Sequence, residues 1–140
     1  MTADTTAHAR ARSSLNVPIL RFLDARPLDE EDLTRGLSLT VSPKALNAVG
    51  GVHAGVLASV LEVVAYLAIT RDLADDEDAI THAFFASYIG PAGPGAHLEA
   101  TARVIRRGKA IAFVEAEIRN GEQLVATASV TKSIRPVAQG

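Results

Sequence analysis

GGVHAGVLASVLEVVAYLAIT, Gly50 to Thr70, is the stretch whose reading decides the fold. It is Val, Leu and Ala almost throughout, yet Glu62 stands near its middle. An isolated carboxylate inside apolar surroundings is costly unless it is paired, protonated or put to use. The stretch predicts a helix from about Ala54 to Leu73, about 30 Å long at 1.5 Å per residue. It is apolar nearly all round, the mark of a helix buried on most sides. Gly55, Ser59, Glu62 and Tyr66 are spaced by four, three and four, so the exceptions form one polar seam. A membrane span of this length is conceivable, but a central Glu and the glycines at its start argue for a core helix.

Upstream, Met1 to Ser13 is polar, lacks the apolar core of a secretory signal and reads as a flexible tail. Ser14 to Ala25 predicts a short helix with Pro18 in its first turn or so. The acidic run after it is linker or turn. Leu37, Leu39 and Val41 alternate with Ser38, Thr40 and Ser42, a half-buried strand that Pro43 ends. Downstream, an acidic loop from Asp72 leads to four strand patterns. THAFFASYIGP ends at a Pro- and Gly-rich turn. The second strand turns Leu98, Ala100, Ala102 and Val104 to one face, and the third does the same with Ala112, Val114, Ala116 and Ile118. Asn120-Gly121 is a two-residue hairpin signal. The last strand places Leu124, Ala126, Ala128 and Val130 on one face. So many inward alanines leave room for something bulky against the sheet, and the long helix is the candidate. The pattern is α+β: one antiparallel sheet wrapped on one helix, as a single domain over residues 14–136.

Composition narrows the function. With 140 residues, 48% hydrophobic and 21% charged, the chain is long enough for one globular domain. A net charge of −2 and six aromatic residues give no footprint for nucleic acid. The absence of cysteine excludes disulfides, thiol catalysis and thiolate zinc sites, and fits a cytoplasmic protein. Nothing in the pattern calls for a metal or a cofactor.

A helix N-terminus offers free amides and partial positive charge, a place to stabilise an oxyanion. The entry loop brings Asn47, Gly50, Gly51 and His53 to that end, with Glu62 about two turns further along. That layout suits acyl transfer, with Glu62 as nucleophile or as base for water. Taken singly, each feature has a plainer explanation: a paired core Glu, a solvated His, a Gly-Gly turn.

Together, Asn47-x-x-Gly50-x-x-His53-x-Gly55 and Glu62, nine residues after His53, resemble the signature of the hotdog-fold acyl-CoA thioesterases of the phenylacetate-degradation (PaaI-like) type. Tyr88 to Ala92 resembles that family's Y-x-x-P-A turn, Arg106 to Lys109 its basic hairpin, and NGEQLVATASVTK its last strand. The resemblance covers roughly Ser38 to Lys132.

It implies a hotdog fold, a homodimer as minimal unit with sites drawing on two chains, a homotetramer as final form, and an acyl-CoA substrate. It assigns Glu62 as the catalytic acid and the Ala54 amide as the oxyanion hole. His53 and Asn47 orient the thioester or water, and Thr81 holds the water from the other subunit. Gly55 and Tyr66 fall beside the substrate, and Arg106, Arg107 and Lys109 lie near the CoA phosphates, where charge attraction would favour them. Ala54 departs from the family's His-Gly-Gly. Tyr66 stands where a small hydroxyl residue is common; it donates to Glu62 or substrate, or it fills the acyl pocket. Partial burial is expected to raise the pKa of Glu62, and hydrogen bonds from Asn47 or Tyr66 to keep it able to ionise near neutral pH. The leading expectation is hydrolysis of an aryl- or medium-chain acyl thioester. The alternative is a catalytically weak relative that binds acyl-CoA or acyl-carrier protein.

Overall fold

The computed structural model describes residues 3–137. Two helices open the chain, α1 (Ala3–Leu15) and α2 (Pro18–Leu23). They are followed by β1 (Arg26–Pro27), β2 (Leu37–Thr40) and the long α3 (Ala54–Ile69). Four long strands complete the order: β3 (Glu77–Tyr88), β4 (His97–Arg107), β5 (Ile111–Asn120) and β6 (Gln123–Pro136). All pairings are antiparallel, and the sheet runs β1-β2-β4-β5-β6-β3.

The sheet wraps α3 as the sequence pattern requires. Leu57, Val60, Leu61, Val64 and Ala65 meet Leu98, Ala100, Val114, Ala116, Ile118, Ala126, Ala128 and Val130 in one core. Alanine on the sheet is what lets a helix of this girth lie so close. Each aliphatic side chain buried there contributes on the order of 1.5–3 kcal/mol. The helix ends at Ile69, short of Leu73, because the chain tightens into a 3₁₀ turn over Thr70–Asp72. Val125 departs from strict alternation: a register shift after Ile118 leaves it buried beside Ala126. Gly36, at φ 115°, lies where an added Cβ would sit 2.0 Å from the Ala100 carbonyl oxygen, so the backbones of β2 and β4 approach as only glycine permits.

The expected N-terminal tail is corrected. Residues 3–13 form most of α1, and only Met1 and Thr2 of that expected tail lie outside the described residues. Ala7, Ala11 and Leu15 recur every four residues, and Ala11 and Leu15 pack on the Leu20, Leu33, Leu37 and Leu67 cluster. Arg10 donates to the carbonyls of Ala74 and Asp75, tying α1 to the loop after α3. An alanine stripe carries too little apolar area to stand out in a polar sequence. The single expected helix of Ser14 to Ala25 is split between α1 and α2, because Val17, ahead of Pro18, is held extended. Ala54–Asp72 passes the length and hydropathy test for a membrane span, as a core helix does; its Val60, Leu61, Val64 and Ala65 are fully buried in the sheet.

Candidate active site

The entry to α3 is organised locally. Asn47 folds its side chain back so that Oδ1 accepts from the amides of Val49 and Gly51, both at 3.0 Å. The His53 amide donates to the Ala45 carbonyl at 2.7 Å, and the Val52 amide donates to Ala92 at 2.8 Å. Ala92 closes the Tyr88–Ala92 turn, so that turn holds the loop that starts the helix. His53 is the N-cap of α3: its Nδ1 accepts from the Gly55 amide at 2.8 Å, which leaves a neutral ring's proton on Nε2. A Cβ on Gly55 would lie 3.1 Å from that Nδ1, so glycine here makes room for the capping ring. The amides of Val56 and Leu57 both donate to the His53 carbonyl. The Ala54 amide, the first of the helix, donates to no acceptor among the described residues. It is the free donor that a helix N-terminus offers.

Two and a half turns along α3 is a second cluster. Glu62 Oε1 accepts from the Thr81 hydroxyl of β3 and, at 2.9 Å, from Lys132 Nζ of β6. Lys132 also donates to Thr81 Oγ1 at 2.9 Å, and its ammonium lies 5.5 Å from the centre of the Tyr66 ring. Lys132 is 1% exposed, whereas the Glu62 side chain is 42% exposed. Glu62 lines a cleft of about 510 Å³ with Val17, Ile19, Tyr66, Ile80, Thr81 and Lys132. The cleft lies where α1 and α2 pass over α3 and β3.

The electrostatics correct an expectation. Burial alone would raise the Glu62 pKa, but the Thr81 and Lys132 hydrogen bonds and the Lys132 charge outweigh it, and the net direction is down. Lys132 is also lowered, because burial of its ammonium outweighs the attraction of Glu62 and Asp78. Tyr66 does not donate to Glu62. Its hydroxyl donates to Asp78 Oδ1 at 2.9 Å, and burial followed by that carboxylate pushes its pKa up.

Thr81 reaches Glu62 of its own chain. A bulge at His82 shifts the β3 register between Thr81 and Ala83, and such bulges re-aim side chains. His53, Ala54, Gly55 and Asn47 gather at the helix start, while Glu62, Thr81 and Tyr66 gather at its middle. The basic hairpin divides. Arg106 and Lys109 are exposed at its tip. Arg107 turns back to pair with Glu77 and to donate to the carbonyls of Asp72 and Gly108, so its guanidinium holds the hairpin to the loop before β3. Lys132 was missed by sequence reasoning, although the inward positions 126, 128 and 130 of β6 lead to it by parity.

The profile of the thioesterase superfamily matches residues 49–127. A comparison with curated protein sequences finds no match. Among solved structures, a phenylacetic acid degradation-related protein of Ralstonia eutropha is 30% identical with a TM-score of 0.74, covering 90% of this chain and 98% of that one. The Escherichia coli PaaI protein of the phenylacetic acid degradation operon has a TM-score of 0.79 at 21% identity over 98% of this chain and 97% of its own. A Bacillus halodurans protein solved with CoA has a TM-score of 0.77 at 19% identity, covering 95% of this chain and 85% of that one.

Proposed function

This chain belongs to the thioesterase superfamily and is a thioester hydrolase, and we propose that it hydrolyses acyl-CoA thioesters with Glu62 as its catalytic carboxylate. The observation that carries the reading is the Glu62 side chain itself, held ionised by Thr81 and Lys132 yet open to a cleft. The oxygen free of those bonds, Oε2, is the reacting atom. Acting as base, it takes a proton from water while the water oxygen attacks the thioester carbon. The carbonyl electron pair moves onto oxygen, where an N–H donor stabilises it. Collapse breaks the C–S bond, and the CoA thiolate recovers the proton. Acting as nucleophile, Oε2 attacks the same carbon, the thiolate leaves, and water hydrolyses the anhydride.

The donor is the Ala54 amide of a second copy. Glu62 lies eight residues after Ala54, a rise of about 12 Å along one helix. One carbonyl cannot lie within hydrogen-bond reach of both ends. Two copies joined through β3 supply the missing half. β3 is a 12-residue edge strand, Thr81 lies on it, and its outer rim is an unpaired ladder of the kind that recruits another strand. The Bacillus halodurans neighbour's CoA supports a CoA thioester as substrate, with the exposed Arg106 and Lys109 as phosphate contacts. The apolar walls of the cleft, Val17, Ile19, Val63 and Ile80, suit an aryl or medium-chain acyl group.

Thiol release from a panel of acyl-CoAs tests this directly, since a chain without cysteine adds no background to a thiol reagent. Release with a clear acyl preference is expected, and Glu62→Gln should lower kcat by about 10³-fold or more. Full rate in Glu62→Gln overturns the assignment. Tight acyl-CoA binding without turnover in the wild type favours a binding protein, in which Ala54 and Tyr66 have altered the site.

A further inference from the structure

Among the described residues, Lys132 is the one charged side chain that is fully buried. A buried ammonium costs several kcal/mol unless its surroundings repay it, and an apolar side chain of similar size would fill the same space. Both of its hydrogen bonds go to the same place. One ends on Glu62 Oε1 and the other on Thr81 Oγ1, and the Thr81 hydroxyl itself donates a hydrogen bond to Glu62 Oε1. The remaining side of the ammonium faces the Tyr66 ring at 5.5 Å. The pair is lopsided: the cation is sealed and the anion is open to the cleft. A pair serving only to tie β6 to α3 would gain nothing from leaving its anion half in water.

We propose that Lys132 is the positioning residue of the catalytic carboxylate: with Thr81 as relay, it occupies Glu62 Oε1, keeps the group ionised and presents Oε2 to the substrate. The proposal rests on Glu62 being the catalytic carboxylate. Lys132 touches no reacting atom and acts through Glu62. The groups that face Glu62 bear this out. Lys132 comes from β6 and Tyr66 from α3 itself; behind Tyr66 lie Asp78 of β3 and Arg10 of α1. From α1, α2 and the turn between them, the cleft receives Ser14, Val17 and Ile19, none of them charged. Lys132 is therefore the one cation in contact with the carboxylate among the described residues. Without it, burial acts to protonate Glu62 and only the Thr81 hydrogen bond opposes it.

The experiment is the pH dependence of kcat/KM for wild type, Lys132→Met, Lys132→Gln and Glu62→Gln, with thermal unfolding of each. In the wild type the acid limb should lie below the ordinary glutamate value of about 4.3. In Lys132→Met it should move up by roughly one to three units, so that activity at pH 5 falls by about two- to a hundredfold and recovers above pH 8 to a plateau below that of the wild type. Lys132→Gln restores the donors without the charge and should show the same shifted limb with a higher plateau. A purely structural lysine would lower the melting temperature of both variants and leave the limb where it was; that result overturns the proposal. So does a wild-type limb at or above the ordinary glutamate range, a reading that needs no variant to fold. Glu62→Gln separates the two layers. If it retains full rate, the assignment of Glu62 fails; if it is inactive while the limb of Lys132→Met is unmoved, only the role of Lys132 fails.

Discussion

The two ends of the site on α3 are built in opposite ways. At the helix start, the side-chain contacts are all short-range in sequence: Asn47 holds Val49 and Gly51, and His53 caps Gly55, with one backbone anchor from Val52 to Ala92. At the middle, Glu62 is held by partners 19 and 70 residues away, on two different strands. The first end is a loop that folds on itself and offers one backbone amide. The second is an ion pair that exists only once β3 and β6 are in register. One end is therefore tolerant of side-chain changes but sensitive to its backbone, and the other is the reverse.

Ala54→Pro tests the backbone end with the largest expected effect. Ala54 is the first helical residue, where proline is favoured, and His53 before it is already extended at φ −67°, ψ 134°. The substitution removes one N–H and little else. Loss of a single oxyanion donor should lower kcat by about 10²–10³-fold with the melting temperature unchanged. Ala54→Gly, which keeps the N–H, should stay within a few-fold of wild type. Equal rates for Ala54→Pro and wild type would show that the oxyanion is held elsewhere.

Asn47→Ala probes the same end through a side chain and should do less. Two loop amides lose their acceptor, a loss of about 1–2 kcal/mol in denaturant unfolding. The loop keeps its anchors from Val52 to Ala92 and from His53 to Ala45, so the Ala54 amide stays in place and kcat should fall less than tenfold. A kcat loss as large as that of Ala54→Pro would assign Asn47 a direct contact with substrate, as the family resemblance implies, in a conformation other than the one seen here.

The same contrast explains what could be read from the sequence. Asn47, Gly50, His53, Gly55 and Glu62 fall in one window, so the loop and the helix were legible there, and the family resemblance carried by that spacing singled out Glu62. Inward alanines on β4, β5 and β6 gave the sheet its face and the helix its place. Lys132 escaped because a lysine at the end of an alternating strand looks like solvent, although parity with Ala128 and Val130 points it inward. The direction of the Glu62 pKa depended on that lysine and came out opposite to expectation. Thr81 sits before a bulge, which breaks the parity that would relate it to Phe84. Alternation along a strand is legible; which strands meet over one helical residue is set by register.

Tyr66→Phe gives the smallest expected effect and draws the boundary of the middle cluster. The hydroxyl is committed to Asp78, and only the ring faces Lys132. Phenylalanine keeps an aromatic face for the ammonium and the wall of the cleft. It removes one hydrogen bond to a half-buried carboxylate that still accepts from the Ala79 amide at 2.8 Å. Stability should fall by about 1 kcal/mol in denaturant unfolding. The acid limb of kcat/KM should stay at its wild-type position, because Glu62, Thr81 and Lys132 keep all their contacts. An upward shift of that limb would mean that the Tyr66–Asp78 pair helps to seat Lys132, and the charge-setting unit would then extend from α3 to the start of β3. An unmoved limb confines it to three side chains, with Tyr66 left to shape the acyl end of the cleft.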